Sequence, residues 1–304
     1  MKVLYVAGQG RCGSTLLGRL LGQQPTFVYA GEVMNLWSQW DAPGALCSCG
    51  DSLQLCQFWS SVMKSCWSGS DRAERTRLAE IQSAACRTAK LPLWAFDAWK
   101  GRTLRQHPDY FNQLASLYRS IAQHSGASVI VDTSKVPTYG VLLGTISEVD
   151  LHVLHMIRDP RAVAYSWTRT KLKAPRGAEV MATYSPLRSA VRWDAYNLGT
   201  TSVLTRGASR SMRLLYEDFV LDPRGSLEAV VRFVAEEPDL DRFPTSNEAS
   251  MIEPLHSVSG NPNRFAVGAM PIRADDEWRE EMRQADRVMV SAATWPVRRW
   301  FGYT

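Results

Sequence analysis

The chain has 304 residues, of which 45% are hydrophobic and 21% are charged, and its formal net charge is +5. This composition is ordinary for a folded protein and excludes a disordered or collagen-like chain. The basic excess fits either general surface charge or a site for a polyanionic ligand. The sequence has no basic run or known motif that would indicate nucleic acid as a partner.

The first residues run directly into an apolar strand, without the apolar core and cleavage site of a signal peptide. No stretch approaches the roughly 18 uninterrupted apolar residues that a membrane helix needs. We therefore expect a cytoplasmic protein without a transmembrane segment, folded as one domain over residues 1–304. The sequence does not indicate an oligomeric state.

Apolar residues predict a first strand over residues 2–7, and a glycine-rich segment follows it, reading Gly8-Gln-Gly-Arg11-Cys12-Gly13-Ser14-Thr15. The spacing matches a phosphate-binding loop, G-x-x-x-x-G-K-S/T, whose Lys contacts the β- and γ-phosphates of a nucleotide and whose hydroxyl holds Mg²⁺. In this chain Ser14 stands at the Lys position, and the nearest basic residue is Arg11. Backbone N–H groups at the start of a helix predicted over 14–22 can still bind an anion, whereas metal-assisted transfer of a γ-phosphate loses its lysine.

A short strand near 27–30 leads into Gly31-Glu32, and residues 33–125 are predicted to form a long helical insertion, with helices over 71–90 and 109–124. Six of the eleven tryptophans fall between residues 33 and 100, at Trp37, Trp40, Trp59, Trp67, Trp94 and Trp99. They either pack the insertion or line a pocket for an apolar or sugar-like ligand.

The insertion also holds a local group of cysteines, Cys47-Ser-Cys49-Gly50 followed by Cys56. A zinc site usually takes four ligands, and the only other thiol nearby in the sequence is Cys66. Simple packing, one local disulfide and a metal site therefore stay open for these cysteines, and packing or a disulfide is the expected state.

Two further strands, predicted over 127–132 and 151–157, each end in polar residues. The first runs into Asp132-Thr-Ser-Lys135, and the second runs into Arg158, with Ser166 eight residues later. Pro160 suits the first turn of a helix, which places Ser166 about two turns along from Arg158. An Arg fork and a hydroxyl together suit a phosphate dianion.

A fifth strand, over 212–216, ends at Tyr216, and helices predicted over 137–147, 160–172, 184–205 and 223–236 separate the strands. This alternation implies an α/β fold, a three-layer P-loop-like domain with a central, mostly parallel sheet flanked by helices. Ligands then bind at the carboxyl ends of the strands. Towards the end of the chain, Pro, Ser, Gly and Asn predict a loop over 254–274, and a charged helix is predicted over 275–293.

The loop pattern R-x-G-S-T-x-L after the first strand, together with the Arg158 and Ser166 element, resembles sulfotransferases that use 3′-phosphoadenosine 5′-phosphosulfate (PAPS), in the style of bacterial, carbohydrate and tyrosylprotein members. The resemblance implies transfer of a sulfuryl group from PAPS to a hydroxyl or amine of a small-molecule, carbohydrate or lipid acceptor, with no metal required. It implies that the segment 254–274 covers the donor. The residues that it implies for donor binding are Arg11, Cys12, Gly13, Ser14, Thr15, Arg158, Ser166, Tyr216 and Arg264. For Tyr216, a place in the core is the alternative.

The resemblance also implies three catalytic residues, Glu32, Arg11 and Lys135. In tyrosylprotein and some carbohydrate sulfotransferases a Glu at the end of the second strand removes the acceptor proton, and Glu32 stands at that place. Cytosolic small-molecule sulfotransferases use a His two places after a Lys, where this chain has Pro137. His256 is the second candidate for the base. Arg11 would neutralise charge on the leaving-group oxygens, and Lys135 would steady the group in transfer.

Two other functions are compatible with the same anion-binding loop. A P-loop kinase acting on a small molecule would need an acidic Mg²⁺ ligand, for which Asp132 is the candidate. A non-catalytic protein would bind adenosine bisphosphate without any transfer, and its Glu32 would be dispensable.

Overall fold

The computed structural model describes residues 1–67, 71–169, 181–245, 248–251 and 255–304. Its strands are β1 (Lys2–Ala7), β2 (Phe27–Gly31), β3 (Val129–Lys135), β4 (Asp150–Ile157), β5 (Arg210–Leu215), β6 (Glu248–Met251) and β7 (Gly268–Pro271). The first five form one parallel sheet in the order β2-β3-β1-β4-β5, and β6 pairs with β7 in an antiparallel hairpin. The predicted α/β class with a central parallel sheet is confirmed.

Helices connect the strands and cover both faces of the sheet. They are α1 (Ser14–Leu21), α2 (Leu36–Gln39), α3 (Gln57–Cys66), α4 (Arg72–Ala85), α5 (Asp97–Gln106), α6 (Pro108–Ser125), α7 (Pro137–Gly144), α8 (Pro160–Thr168), α9 (Pro186–Gly199), α10 (Tyr216–Leu221), α11 (Pro223–Phe233), α12 (Trp278–Glu281), α13 (Gln284–Ala293) and α14 (Trp295–Trp300). Proline at the first helical position starts α6, α7, α8, α9 and α11, where its fixed φ and missing N–H cost nothing.

Alternating side chains of β1 pack into two separate cores, because successive strand residues point to opposite faces of a sheet. Val3 and Tyr5 belong to the core beneath the insertion helices, and Leu4 and Val6 belong to the core beneath α1 and α11. All four side chains are fully buried. The sheet is therefore the middle of three layers.

The tryptophans of the insertion pack its core. Trp37, Trp59, Trp67 and Trp94 are buried in the core beneath the insertion helices, and Trp40 and Trp99 pack against that core. Of the two interpretations of these residues, the structure supports packing.

Three predicted segments differ from the structure. The helix predicted over 71–90 ends at Ala85, and a 3₁₀ segment that contains Pro92 follows it at Thr88–Ala95. The helix predicted over 275–293 is divided between α12 and α13, because Met282 has an extended backbone conformation. The loop predicted over 254–274 includes β7, whose partner β6 lies before it. Strands of four residues are too short to show an alternating pattern.

Candidate active site

All five strands of the parallel sheet end beside one cavity of about 890 Å³, a volume that suits a nucleotide-sized ligand. Each strand brings residues to it: Gly13 in the loop after β1, Glu32 after β2, Lys135 at the end of β3, Arg158 after β4 and Tyr216 after β5. Among the described residues, seven cationic side chains line the cavity, namely Arg11, Arg19, Lys135, Arg158, Arg169, Arg192 and Arg273. They outnumber the five carboxylates there, Glu32, Asp275, Asp276, Glu277 and Glu280. The cavity is therefore suited to a polyanion.

The loop between β1 and α1 has the backbone of an anion-binding site. Gly8 and Gly13 have φ values of 142° and 95°, and a Cβ on Gly8 would lie 2.2 Å from the Met156 carbonyl oxygen. At Gly13 a Cβ would lie 2.5 Å from the Tyr216 ring, so only glycine fits both places. No side chain caps the start of α1, and its first turn carries no acidic residue, which leaves the N–H groups there for an anion.

Arg11 projects from this loop and stacks on Trp167 of α8. The guanidinium carbon lies 4.6 Å from the ring centroid, and the Trp167 indole N–H donates to the Gly10 carbonyl at 3.1 Å. Burial lowers the pKa of Arg11, an effect that the nearby Glu32 partly offsets. Because an arginine stays protonated even when it is largely buried, the stacking on Trp167 holds a permanent positive charge beside the phosphate loop.

Glu32 and Lys135 form an ion pair at the ends of β2 and β3. Lys135 Nζ lies 2.5 Å from Glu32 Oε1 and also donates to the Thr133 carbonyl at 2.6 Å. The other carboxylate oxygen of Glu32 accepts from Asn35 Nδ2 at 2.9 Å, and that amide also donates to Ser259 Oγ at 3.0 Å. Burial acts to lower the pKa of Lys135, but the Glu32 carboxylate outweighs it and raises the pKa above its usual value.

The conformation of Lys135 is itself unusual, with φ at 69°. A left-handed backbone costs a residue with a Cβ on the order of 1 kcal/mol and persists where neighbouring contacts impose it. Here the Lys135 carbonyl accepts the Gly8 N–H at 3.4 Å, which ties the end of β3 to the phosphate loop. A Cβ placed on Gly260 would lie 3.7 Å from both Glu32 Oε1 and Thr15 Oγ1, so the carboxylate and this loop hydroxyl border the same space.

Arg158 lines the cavity next to the phosphate loop and is 5% exposed. Its guanidinium donates to the Arg11 carbonyl at 3.2 Å and to the Asp275 carbonyl at 2.9 Å, and it lies 3.2 Å from Asp275 Oδ2. The same group stacks 4.5 Å from the centroid of the Tyr216 ring. Ser166, also buried, lines the cavity from α8. Tyr216 is thus both a buried residue and part of the cavity wall.

Three of the residues that the sequence predicts for the site do not line the cavity. Cys12 is buried beneath the loop, where burial raises the pKa of its thiol, and it is not part of the cavity lining. Arg264 is buried and donates to the Ser257 and Leu46 carbonyls, each at 2.9 Å. His256 lies beside Cys56 rather than in the cavity, with 3.3 Å between Nδ1 and Sγ. Of the two candidate bases, Glu32 lines the cavity and His256 does not.

Asp132, the candidate Mg²⁺ ligand of the kinase alternative, is fully buried in β3. Its Oδ1 accepts from the Ser134 N–H at 2.7 Å and from the Ser134 hydroxyl at 2.5 Å, and its Oδ2 accepts from the Tyr118 hydroxyl. Both carboxylate oxygens are therefore used inside the core. This arrangement, with Ser14 at the lysine position, disfavours a P-loop kinase.

The burial of Asp132 predicts a pH-dependent stability. Burial raises its pKa from 3.8 to about 6. Between these two values the folded state holds more protons than the unfolded chain, so this residue makes the protein less stable as the pH rises through the window. Asp132→Asn does not titrate. Its stability relative to the wild type should therefore increase by roughly 3 kcal/mol between about pH 4 and pH 8 in urea unfolding.

The exposed Asp218→Asn serves as the control for the loss of one carboxylate outside the core. The free energy of unfolding is to be plotted against pH for both proteins. If the Asp132→Asn plot runs parallel to the wild-type plot between pH 4 and pH 8, Asp132 does not titrate in that range.

Sequence patterns did not reveal several residues that line the cavity or, like Asn35, hold a lining residue in place. Asn35 lies in the short 3₁₀ turn after β2, and Arg192 projects from α9, where its Nη2 donates to the Tyr196 hydroxyl at 2.9 Å. Neither belongs to a spacing pattern with known chemistry. Trp167 had a usable signal, since it directly follows Ser166 in the element that begins at Arg158.

None of the described helices combines the length and apolar character that crossing a bilayer requires. A search of curated proteins finds no match to the sequence. Among solved structures, the chain is similar to the sulfotransferase domain from the Synechococcus PCC 7002 olefin synthase, at 20% identity and a TM-score of 0.50, over 97% of this chain and 94% of that one. It is also similar to the sulfotransferase domain from the curacin biosynthetic pathway, at 16% identity and a TM-score of 0.53, over 100% of this chain and 98% of that one. At these identities the likeness shows a shared fold.

The family profile described as "Sulfotransferase family" matches residues 4–239. This range takes in the phosphate loop, the Glu32 and Lys135 pair, and the strand that precedes Arg158. Because the match spans well over half of the chain, this protein belongs to the sulfotransferase family.

Proposed function

We propose that this protein transfers a sulfuryl group from PAPS to a hydroxyl group, or an amine, of a small-molecule, carbohydrate or lipid acceptor, with Glu32 as the base. The observation that carries the proposal is the ion pair of Glu32 and Lys135, which shares one cavity with the phosphate loop and Arg158. A cavity that combines a phosphate loop, a second buried arginine and a carboxylate fits a bisphosphorylated donor and a nucleophile that must lose a proton.

Hydrogen-bond donors that have no partner in the cavity support PAPS as the sulfuryl donor. Among the described residues, the Nε atoms of Arg11 and Arg158 are buried and have no hydrogen-bond partner, and the same holds for the amide nitrogen of Gln9. Buried donors without partners are costly, and phosphate oxygens would satisfy them. The uncapped start of α1 would hold the 5′-phosphate, and Arg158 with Ser166 would hold the 3′-phosphate. Gly13, Ser14 and Thr15 supply the contacts of the first of these sites. Cys12 and Arg264, which the family pattern also assigns to donor binding, would act from behind the wall of the cavity.

In the proposed reaction, the acceptor hydroxyl gives its proton to Glu32 while its oxygen forms a bond to sulfur. The bond between sulfur and the 5′-phosphate oxygen breaks, and adenosine 3′,5′-bisphosphate leaves with that electron pair. Arg11, Lys135 and the N–H groups of α1 stabilise the negative charge that develops on the phosphate. Lys135 can do so because it lines the same cavity as the phosphate loop, and it needs no metal ion for this role.

The direct test of the donor is calorimetric titration with adenosine 3′,5′-bisphosphate. Two controls sharpen it: 5′-AMP lacks the second phosphate, and adenosine 2′,5′-bisphosphate has the same charge with that phosphate displaced. We expect the 3′,5′ isomer to bind at least about 30-fold more tightly than either, since charge-assisted hydrogen bonds to one phosphate are worth about 2 kcal/mol or more. Equal affinity for all three nucleotides would reject PAPS as the donor.

Transfer is tested separately, with PAPS carrying labelled sulfate and a panel of phenol, sugar and lipid acceptors. Labelled product from any class would identify an enzyme and its acceptor chemistry. Tight binding of the bisphosphate with no labelled product from the whole panel would instead support the non-catalytic binding protein.

A further inference from the structure

The fold brings three cysteines together with a histidine that is distant in the sequence. Cys47 and Cys49 lie in a turn, Cys56 immediately precedes α3, and His256 comes from a segment 200 residues further along the chain. The three sulfur atoms and a ring nitrogen of His256 all lie within 4.8 Å of one another. Cys47 and Cys56 are buried, and Cys49 and His256 are half-buried. None of the four belongs to the lining of the active-site cavity.

The distances in this cluster fit a tetrahedral ion. Zinc lies about 2.3 Å from a thiolate sulfur and about 2.0 Å from an imidazole nitrogen, so tetrahedral ligands are separated by roughly 3.5 to 3.8 Å. His256 Nδ1 lies 3.3 Å from Cys56 Sγ and 3.8 Å from Cys47 Sγ. One ring nitrogen thus faces two sulfur atoms at once. A hydrogen bond accounts for only one of these approaches, whereas a shared ion accounts for both.

The backbone around Cys47 and Cys49 forms a tight turn. Gly50 has φ at 101°, and its N–H donates to the Cys47 carbonyl at 3.0 Å, which closes the turn that holds Cys47 and Cys49. The ring of Phe58 stacks on His256, with 5.5 Å between centroids, and holds the imidazole plane.

We propose that Cys47, Cys49, Cys56 and His256 bind one Zn²⁺ ion in a closed tetrahedral site. Three thiolates and one imidazole form a soft ligand set that suits zinc and not Mg²⁺ or Ca²⁺. With four protein ligands the ion has no open position, so its role is structural. The fourth ligand is His256 and not Cys66, the thiol that its position in the sequence had indicated.

The site joins two segments that border the proposed base. The Ser48 N–H donates to the Ser257 carbonyl at 3.1 Å, so the segment of His256 lies against the cysteine turn. One residue further on, Val258 exchanges hydrogen bonds with β2: its N–H donates to the Ala30 carbonyl at 2.9 Å, and its carbonyl accepts the Glu32 N–H at 2.8 Å. The ion would therefore hold the segment of His256 and Val258, which fixes the backbone of Glu32, in place. It would take no part in the transfer reaction.

The first measurement is the metal content of the wild-type protein, purified without chelators. Plasma mass spectrometry should find about one zinc ion per chain, because a preformed Cys₃His site binds zinc strongly at neutral pH. Replacement of zinc by Co²⁺ should give a thiolate-to-cobalt charge-transfer band and the intense visible absorption of tetrahedral cobalt. Cys49→Ser and His256→Ala should each lower the affinity for Co²⁺ at least about tenfold.

Cys66→Ala is the matched control, since Cys66 is a buried thiol of α3 outside the four ligands. It should keep its zinc and its cobalt spectrum. Loss of the ion in Cys66→Ala but not in His256→Ala would overturn the assignment of the fourth ligand.

A folded, fully reduced wild-type protein that holds no zinc and gives no tetrahedral cobalt spectrum on titration with Co²⁺ would overturn the proposal. A disulfide between two of the three cysteines in protein isolated without reductant would overturn it as well. The structural role of the ion is measured separately. Removal of zinc should lower the midpoint temperature of thermal unfolding, and an unchanged midpoint contradicts a structural role. These measurements do not depend on PAPS, so they stand or fall separately from the proposed transfer reaction.

Discussion

Glu32→Gln should lower kcat for sulfuryl transfer by about 10²- to 10⁴-fold, the usual contribution of a general base. Glutamine keeps the length of the side chain and an oxygen that can accept from Lys135 Nζ, now 2.5 Å from Glu32 Oε1, but it cannot take the acceptor proton. The loss should fall on the chemical step, so single-turnover rates with saturating PAPS should fall by the same factor as kcat.

Binding separates a lost base from a damaged site. Adenosine 3′,5′-bisphosphate should bind Glu32→Gln within about threefold of the wild-type affinity, since the anion sites are unchanged. Glu228→Gln, on the outer part of α11, is the matched control and should turn over at the wild-type rate. Wild-type turnover in Glu32→Gln would show that the proton goes elsewhere.

Arg158→Ala should remove the preference for the 3′-phosphate. We expect its affinity for adenosine 3′,5′-bisphosphate to fall about 30- to 1,000-fold, because a buried charged pair with phosphate is worth roughly 2 to 4 kcal/mol. Its affinity for 5′-AMP should change little. Calorimetry with both nucleotides measures the two values on the same preparation.

A second variant at this site should act in the opposite direction. Asp275 Oδ2 lies 3.2 Å from the Arg158 guanidinium and competes with a phosphate for it, so Asp275→Asn should bind the bisphosphate several-fold more tightly. The exposed Arg206→Ala controls for the loss of one positive charge. If Arg158→Ala retains the full preference for the bisphosphate, another cation of the cavity holds the 3′-phosphate.

The strands and the order of site residues could be predicted because both are local signals. Buried parallel strands are apolar runs, and the carboxyl end of each run is marked by the first polar residues after it, as at Lys135 and Arg158. The family resemblance pointed to Glu32, and the structure places that residue in the cavity with Lys135. The catalytic role of Glu32 remains a prediction.

Contacts between distant segments could not be predicted in this way. Asp275 lies 117 residues after Arg158, and His256 lies 200 residues after Cys56. Sequence spacing carries no signal over such lengths, because the fold alone decides which loops meet. The same limit applies to the hairpin of β6 and β7, whose strands are too short for periodicity and gain their stability from their place in the core beneath α1 and α11.

Residues 255–266, part of the segment 254–274 that the sequence predicts to cover the donor, are hydrogen-bonded to three other parts of the chain. Val258 is bonded to β2, Arg264 to the Leu46 carbonyl, and Arg19 of α1 donates to the Asn263 carbonyl at 2.6 Å. Swinging this stretch outward would break all of these bonds together, an event far rarer than the fraying of a free loop. We therefore expect this stretch to stay in place during turnover, and substrates and products to cross another part of the cavity rim.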